Sequence, residues 1–325
     1  MQMEKLATLS PAHCRLLVKN NPKYQTAALA EAIQRHCLSK APQDPLRAAY
    51  DGTLSLEICS HLDSQVYGGR VVKDLRALGL AVTGNAFRVL QQPREAQKYL
   101  DYARKSQDTG TGLPSLEAQL SSLEASFLAS NLEFERASRL LEGAADILVE
   151  LREEQTLAKI YLQSAFVCRE SDNAHRSLDF IDQALLLLGP SSDPRLLMSA
   201  LHNRMLCKID LGFVYPAEEE LPILEEVTRR HGGRLDQIRL AWTKGELMLR
   251  QGRFDSAEGL FLSSYRAFLG ARTQTDAGLV ALRLGHLYKQ TGKKADLHGI
   301  LQEAVEVFRT LGAAKHLREA YHLLA

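Results

Sequence analysis

The sequence is short of several things, and each shortage removes a class of function. Tryptophan occurs once in 325 residues and aromatics make up only 6%. Cysteine occurs five times, an odd and sparse set. That argues against a disulfide framework and for a reducing compartment. Long apolar runs are missing too. Ala184-Leu185-Leu186-Leu187-Leu188 is among the longest, far below the ~18–20 residues of a membrane span. Met1-Gln2-Met3-Glu4-Lys5 has no basic stretch leading into an apolar one, so no secretory signal is expected. Neither charge dominates: 40 Lys and Arg face 39 Asp and Glu, which leaves no basic stripe for nucleic acid. The motifs HExxH, GxSxG, the Walker loop and a GxGxxG after a strand are all absent. The expectation is a cytoplasmic protein that is not an enzyme, needs no cofactor and binds neither membrane nor, directly, nucleic acid.

What remains is a helix-forming composition. Apolar residues are 45% and charged residues 24%, while Pro numbers only 10. Leu, Ala, Arg, Glu and Lys are abundant and lose little side-chain freedom in a helix. A chain this long usually divides into domains, unless it repeats and packs unit on unit.

It does repeat, at intervals of forty residues. An anchor column reads Ala137, Ser177, Ala217, Ala257, Leu297. Four residues later it reads Leu141, Ile181, Leu221, Phe261, Leu301, and seven later Ala144, Ala184, Leu224, Ser264, Ala304. Twelve residues before the anchor stand Ala125, Ala165, Met205, Gly245, Gly285. Five before it, where a turn is needed, stand Leu132, Asp172, Gly212, Gly252, Gly292. A sixth copy lies upstream at Ala96, with Leu100 and Ala103 after it and Gly84 and Phe87 before it. Offsets of four and seven share one helical face. Small residues let paired helices approach closely, the large residue a turn later fills the groove between pairs, and a permissive residue reverses the chain.

These columns resemble the tetratricopeptide repeat family. Gly285-His286-Leu287-Tyr288, then Gly292, Leu301 and Ala304, follow its pattern, as do Gly245, Met248, Gly252, Phe254, Ala257 and Phe261. The resemblance implies an all-α, right-handed α-α superhelical solenoid of helix hairpins. The period exceeds the usual 34 residues and looks like the extended repeats of certain bacterial transcription activators and kinesin light chains. Asp63–Arg76, running into Gly84–Arg88, also resembles bacterial repeat proteins, which adds a bacterial expectation.

The expected organisation is an N-terminal helical segment at 1–66, six repeats at 67–312 and a capping helix at 313–325. Pro11–Lys19, Gln25–Ser39 and Pro45–Leu62 read as helices, the last started by Asp44 before Pro45. The segment is either a cap on the first repeat or a degenerate seventh copy. Ala314–Ala325 reads as a closing helix with Lys315, Arg318 and Glu319 on its exposed side.

Three Cys/His pairs occur early: His13-Cys14, His36-Cys37 and Cys59-Ser60-His61. Their wide separation is unlike a structural zinc site, so buried thiols are expected instead. Gly68-Gly69 and Gly232-Gly233 read as helix breaks, and Glu218-Glu219-Glu220 as the acidic start of a helix after Pro216.

The resemblance implies a ligand groove along the first helix of each pair, at 15, 11, 8 and 7 residues before the anchor. Counting back gives Asn85 and Arg88, Ser122 and Ser126, Arg169, His202 with Asn203, then Trp242, Glu246 and Arg250, and finally His286 and Lys289. The family's carboxylate-gripping variant pairs a Lys with an Asn, but Ala81 stands where that Lys belongs. Leu162, Phe166, Leu206, Ile209, Leu249 and Leu282 share the nominal face, so either the true face is rotated from it or the longer helices bury more of it. Trp242 fits either core or groove. The expected function is a scaffold or adaptor docking a partner's peptide or helix in the concave groove. The alternative is a ligand- or peptide-responsive sensor that controls a partner protein.

Overall fold

The computed structural model describes Leu6 and residues 9–189, 192–271, 273–311 and 313–325. The residues on which the leaderless start was read, Met1–Lys5, lie outside this set. Among the described residues there are seventeen α-helices and no strand. None of the described helices is long and apolar enough to cross a membrane. The chain divides into two compact units, Met1–Ser171 and Asp172–Ala325.

The first unit holds α1 (Pro11–Asn20), α2 (Ala27–Lys40), α3 (Pro45–His61), the single turn α4 (Ser64–Tyr67), α5 (Gly69–Val89), α6 (Pro93–Gln107), α7 (Pro114–Ser130), α8 (Phe134–Leu151) and α9 (Glu154–Glu170). Local chemistry sets the starts. The Asp44 carboxylate accepts from the Arg47 N–H at 3.0 Å with Pro45 at the first helical position, as its sequence predicts. The Thr26 hydroxyl caps α2 in the same way, at 3.2 Å from the Leu29 nitrogen. Helices α2 and α3 pack on each other and both pack on α5, the pattern that α5 and α6 repeat with α7. Leu29, Ile33, Leu54, Ile58 and Leu75 form the core beneath them.

The second unit holds α10 (Ala174–Leu187), α11 (Pro194–Asp210), α12 (Val214–His231), α13 (Arg234–Arg250), α14 (Phe254–Gly270), α15 (Gln274–Thr291), α16 (Lys294–Thr310) and α17 (Ala314–Leu324). From α11 to α17 each helix packs on the next. The first helices α11, α13 and α15 also touch in succession.

The columns find a common structural meaning. Ala96, Ala137, Ser177, Ala217, Ala257 and Leu297 are each the fourth residue of a second helix, and all are buried. The large residue a turn later lies against the small one twelve before the anchor. A Cβ on Gly245 would fall 2.7 Å from the Phe261 ring, and one on Gly285 2.6 Å from Leu301 Cδ2. Where Met205 replaces glycine, the facing Leu221 is only partly buried. Small faces large and volume is shared, as close packing requires.

The hairpin turn is the most uniform feature. Gln91 and Leu132 have φ of 57° and 64°, Asp172 has 60°, and Gly212, Gly252 and Gly292 have 82°, 75° and 74°. Six copies use a left-handed residue at the same offset, whether or not it is glycine.

Two local expectations need correction. Helix α12 begins at Val214, so Pro216 is its third residue and Glu218 already its fifth. The first turn's N–H groups have no intrahelical partner, so proline is tolerated there and does not mark the start. Of the three α17 residues expected on the outside, only Arg318 is fully exposed. Glu319 is drawn onto His286, and Lys315 onto Asp172 at 3.2 Å.

Candidate functional site

The three Cys/His pairs resolve into separate structural contacts. Cys14, Cys37 and Cys59 are buried free thiols. Cys37 Sγ donates to the Ala48 carbonyl at 3.1 Å. Burial pushes the Cys37 and Cys59 thiols up to about 12, away from the thiolate a metal would need. His13 bonds Ser10, His36 bonds Asp51 and His61 bonds Glu57. Among the described residues no group of three His, Cys, Asp or Glu could hold a metal ion.

The predicted groove residues fall on first helices in both units. In the first unit, Asn85 and Arg88 lie on α5. Arg88 Nε donates to Asn85 Oδ1 at 3.0 Å, and its Nη1 to Ser130 Oγ at 3.2 Å. Ser122 Oγ on α7 donates to Gln163 Oε1 on α9 at 2.7 Å, and Gln163 Nε2 donates to Ser126 Oγ at 3.3 Å. On this face the hydroxyls and amides accept from one another and from the Arg88 guanidinium, with no carboxylate among these contacts. Burial pulls the Arg88 guanidinium down to about 10. Arg169 on α9 is half-buried.

In the second unit the same positions build a charged chain across three successive first helices. Trp242 and Glu246 of α13 are buried, at 8% and 3% exposure. Trp242 packs edge-on against Phe268 and against His202 of α11. Its Nε1 donates to Glu246 Oε1 at 2.9 Å. Burial raises the Glu246 carboxyl pKa, and Arg283 on α15, with Nε 3.0 Å away, opposes the rise. Arg283 also lies 3.9 Å from Asp210 at the end of α11, and Arg250 lies 3.8 Å from it. His202 Nδ1 meets Thr243 Oγ1 at 2.6 Å, and Asn203 is half-buried. His286 Nε2 lies 2.8 Å from Glu319 Oε1, and its hydrogen bond helps hold that carboxyl well below the usual range. Lys289 Nζ donates to the His322 carbonyl at 3.3 Å.

Some of these side chains line an open cleft of about 570 Å³ between α13 and α15. Its walls are Glu246, Leu249 and Arg250 from one helix and Arg283, His286, Lys289 and Gln290 from the other. Four of the twelve sequence-predicted residues meet there: Glu246, Arg250, His286 and Lys289. Trp242 is not part of the lining and reaches the cleft only through its hydrogen bond to Glu246. A second cavity, about 690 Å³, lies in the first unit around Arg70, Arg104, Glu117 and the 108–112 loop, away from the predicted residues.

Comparison with solved structures fixes the fold. A Rap protein complexed with competence and sporulation factor matches with a TM-score of 0.68 at 15% identity, over 91% of this chain and 80% of that one. The apo form of RapI matches at 0.67 and 12% identity, over 87% and 99%. The apo form of the quorum sensor NprR from B. thuringiensis matches at 0.56 and 14% identity, over 92% and 87%. This is a tetratricopeptide-like helical repeat fold. No protein-family model and no curated protein matches the chain.

Within this tetratricopeptide-like frame, two cleft residues escaped the sequence reading. Gln290 stands at the seven-residue offset itself, where the count stopped at Lys289. Arg283 sits fourteen before Leu297, one place inside the nominal face. Its spacing of three from His286 was the available signal, since i and i+3 share a face.

Proposed function

We propose that the protein is a peptide-binding regulatory module that acts through a partner protein. The observation carrying this reading is the cleft between α13 and α15. Its volume lies in the usual range for ligand sites. It combines one apolar wall residue, Leu249, with amide, imidazole, guanidinium and ammonium donors. Such a mixture suits an extended peptide, whose carbonyl groups need donors at intervals while its side chains need apolar contact. The cleft also belongs to first helices, the elements on which the family resemblance implies ligand contact.

Similar folds include one holding competence and sporulation factor and one described as a quorum sensor. They favour the sensor reading over a passive scaffold: a bound peptide changes how the helices stack, and a partner reads the change. In this reading the output belongs to the partner protein.

The test is thermal unfolding of the intact chain against a random library of short peptides. Binding to the folded state raises the midpoint by mass action. A rise that Arg250→Gln and Lys289→Gln abolish supports the proposal. No rise at any library concentration rejects it, and a rise indifferent to both substitutions moves the peptide away from this cleft.

A further inference from the structure

Among the described residues, two polar ties join α13 to α15, and they differ in burial. Near the helix starts Arg239 reaches Asp276 at 3.2 Å, with both groups partly exposed. Midway along, Arg283 Nε reaches Glu246 Oε1 at 3.0 Å, and there the carboxylate is buried, at 4% side-chain exposure. The rest of the cleft lining lies beyond this second tie, toward the helix ends. Glu246 and Arg283 therefore close the inner end of the cleft.

The same Glu246 oxygen accepts from Trp242 Nε1 at 2.9 Å. One buried oxygen thus serves an indole on its own helix and a guanidinium on the next first helix. Other groups face this pair from the surrounding helices. Asp210, at the end of α11, lies 3.9 Å from Arg283 and 3.8 Å from Arg250. Glu319 of α17 holds His286 and adds to the negative field on Arg283. Helix α11 also sets the His202 ring 5.9 Å from the indole, and α14 sets Phe268 at 6.3 Å. Helix α12 meets α13 through Glu225 and Lys244, 2.6 Å apart. Burial penalises the ionised Glu246 and Asp210 repels it, and these outweigh the help from Arg283, Trp242 and Arg250.

We propose that Glu246 is a proton-operated tie between α13 and α15. Ionised, it holds Arg283 and closes the inner end of the cleft. Protonated, it keeps the indole bond through its carbonyl oxygen and gives up the ion pair, which leaves the guanidinium to Asp210 and the cleft. The proton comes from solvent, and no covalent bond of the chain changes apart from the new O–H. The sign follows from burial, which puts the folded pKa above the unfolded one. The fold then binds this proton more readily than the unfolded chain, so the group's contribution to stability rises as pH falls. Release of the tie therefore does not come at the expense of the fold. The proposal goes beyond peptide binding, because the tie joins the two helices with or without a ligand.

Trp242 is the only tryptophan in the chain, so intrinsic fluorescence of the intact protein reads the carboxyl bonded to it. Emission is followed from about pH 8 to about pH 4, a span that covers ordinary histidine and carboxylate titration. Wild type should show one transition, centred above the ordinary carboxylate range. Glu246→Gln, with the same shape and no charge, should lose it. Arg283→Met should move it to higher pH, by removing the cation that favours the ionised form. His202→Gln should leave it in place, which separates the carboxyl from the imidazole beside the indole. Hydrogen exchange of wild type and Glu246→Gln at one neutral pH reads the tie itself, with faster exchange expected at residues 246–250 and 283–290 of the variant. A flat wild-type emission overturns the proposal, as does a transition that survives Glu246→Gln or disappears in His202→Gln. Unchanged exchange in Glu246→Gln overturns it too. Should Glu246→Gln fail to fold, Arg283→Met decides: a transition moved to higher pH supports the tie and an unmoved one overturns it. None of these outcomes bears on the peptide reading, which the library test decides.

Discussion

The inner faces of the two units are built on the same repeat and carry different chemistry. In the first unit, the predicted positions are joined by hydrogen bonds that involve no carboxylate: Arg88 to Asn85 and Ser130, Ser122 to Gln163, Gln163 to Ser126. In the second, the corresponding positions hold Trp242, Glu246, Arg250 and His286, tied into ion pairs with Arg283, Asp210 and Glu319. The turns differ in the same direction. The first unit places Gln91 and Leu132 at left-handed backbone, while the second mostly uses glycine. The frame is set by the small-against-large columns and the reversal offset, and it tolerates this variety. Side-chain chemistry on the first helices is free to vary on top of it.

The sharpest way to break the comparison is through the columns. Phe261→Ala empties the contact over Gly245 and should destabilise the second unit by about 3–5 kcal/mol. Leu141→Ala, the counterpart in the first unit, should cost about 2–5 kcal/mol. Chemical denaturation of each variant checks both. A negligible loss at either position would mean that the shared column is not the core of that unit.

The charged chain comes next. Arg283→Met leaves the Glu246 carboxylate buried with only Trp242 for company. The loss should be about 2–4 kcal/mol at neutral pH, at or below the usual cost of breaking a buried pair because Arg283 is a third exposed. The sign with pH follows from burial raising the folded pKa of Glu246 above the unfolded value. Such a group favours folding when protonated. Denaturation of the variant should therefore show stability recovering as pH falls from neutral toward 5. Arg88→Met in the first unit leaves no carboxylate stranded and should show no such recovery.

Smaller effects sharpen the packing argument. Gly245→Ala drives a Cβ into the Phe261 ring and should cost about 1–3 kcal/mol. Ala125→Gly, at the same column in the first unit, should cost about 1 kcal/mol through helix propensity. The turns give the smallest difference and opposite signs. Gly252→Ala forces a side chain into left-handed backbone, a loss of about 1–2 kcal/mol. Leu132→Gly relieves that strain but loosens the unfolded chain, leaving a net gain below about 1 kcal/mol. Thermal unfolding resolves the two directions, and a stabilising Gly252→Ala would refute the assignment of the turn.

Much of the fold was legible in the sequence because packing repeats. The anchor, the bulky residue after it and the reversal offset recur at one spacing, and each landed at one structural place. The site was less legible. Offsets place a residue on a face but do not say how far helices roll, so Ile209 is fully buried at an offset where Lys289 is exposed. Trp242 stayed ambiguous because an indole buries well only if its N–H finds an acceptor. The acceptor is Glu246, one turn on, itself buried because Arg283 of the next hairpin reaches it. That dependence crosses repeats and leaves no mark at a single position. Glu319 was read as solvated for the same reason, since His286 belongs to an earlier hairpin.

The central claim is that ligand binding belongs to the cleft between α13 and α15. Amide hydrogen exchange on the intact chain, with and without a saturating bound peptide, tests it most directly. Slowed exchange concentrated at residues 246–250 and 283–290 is the predicted result. Protection confined to other helices, or none with peptide bound, would contradict it.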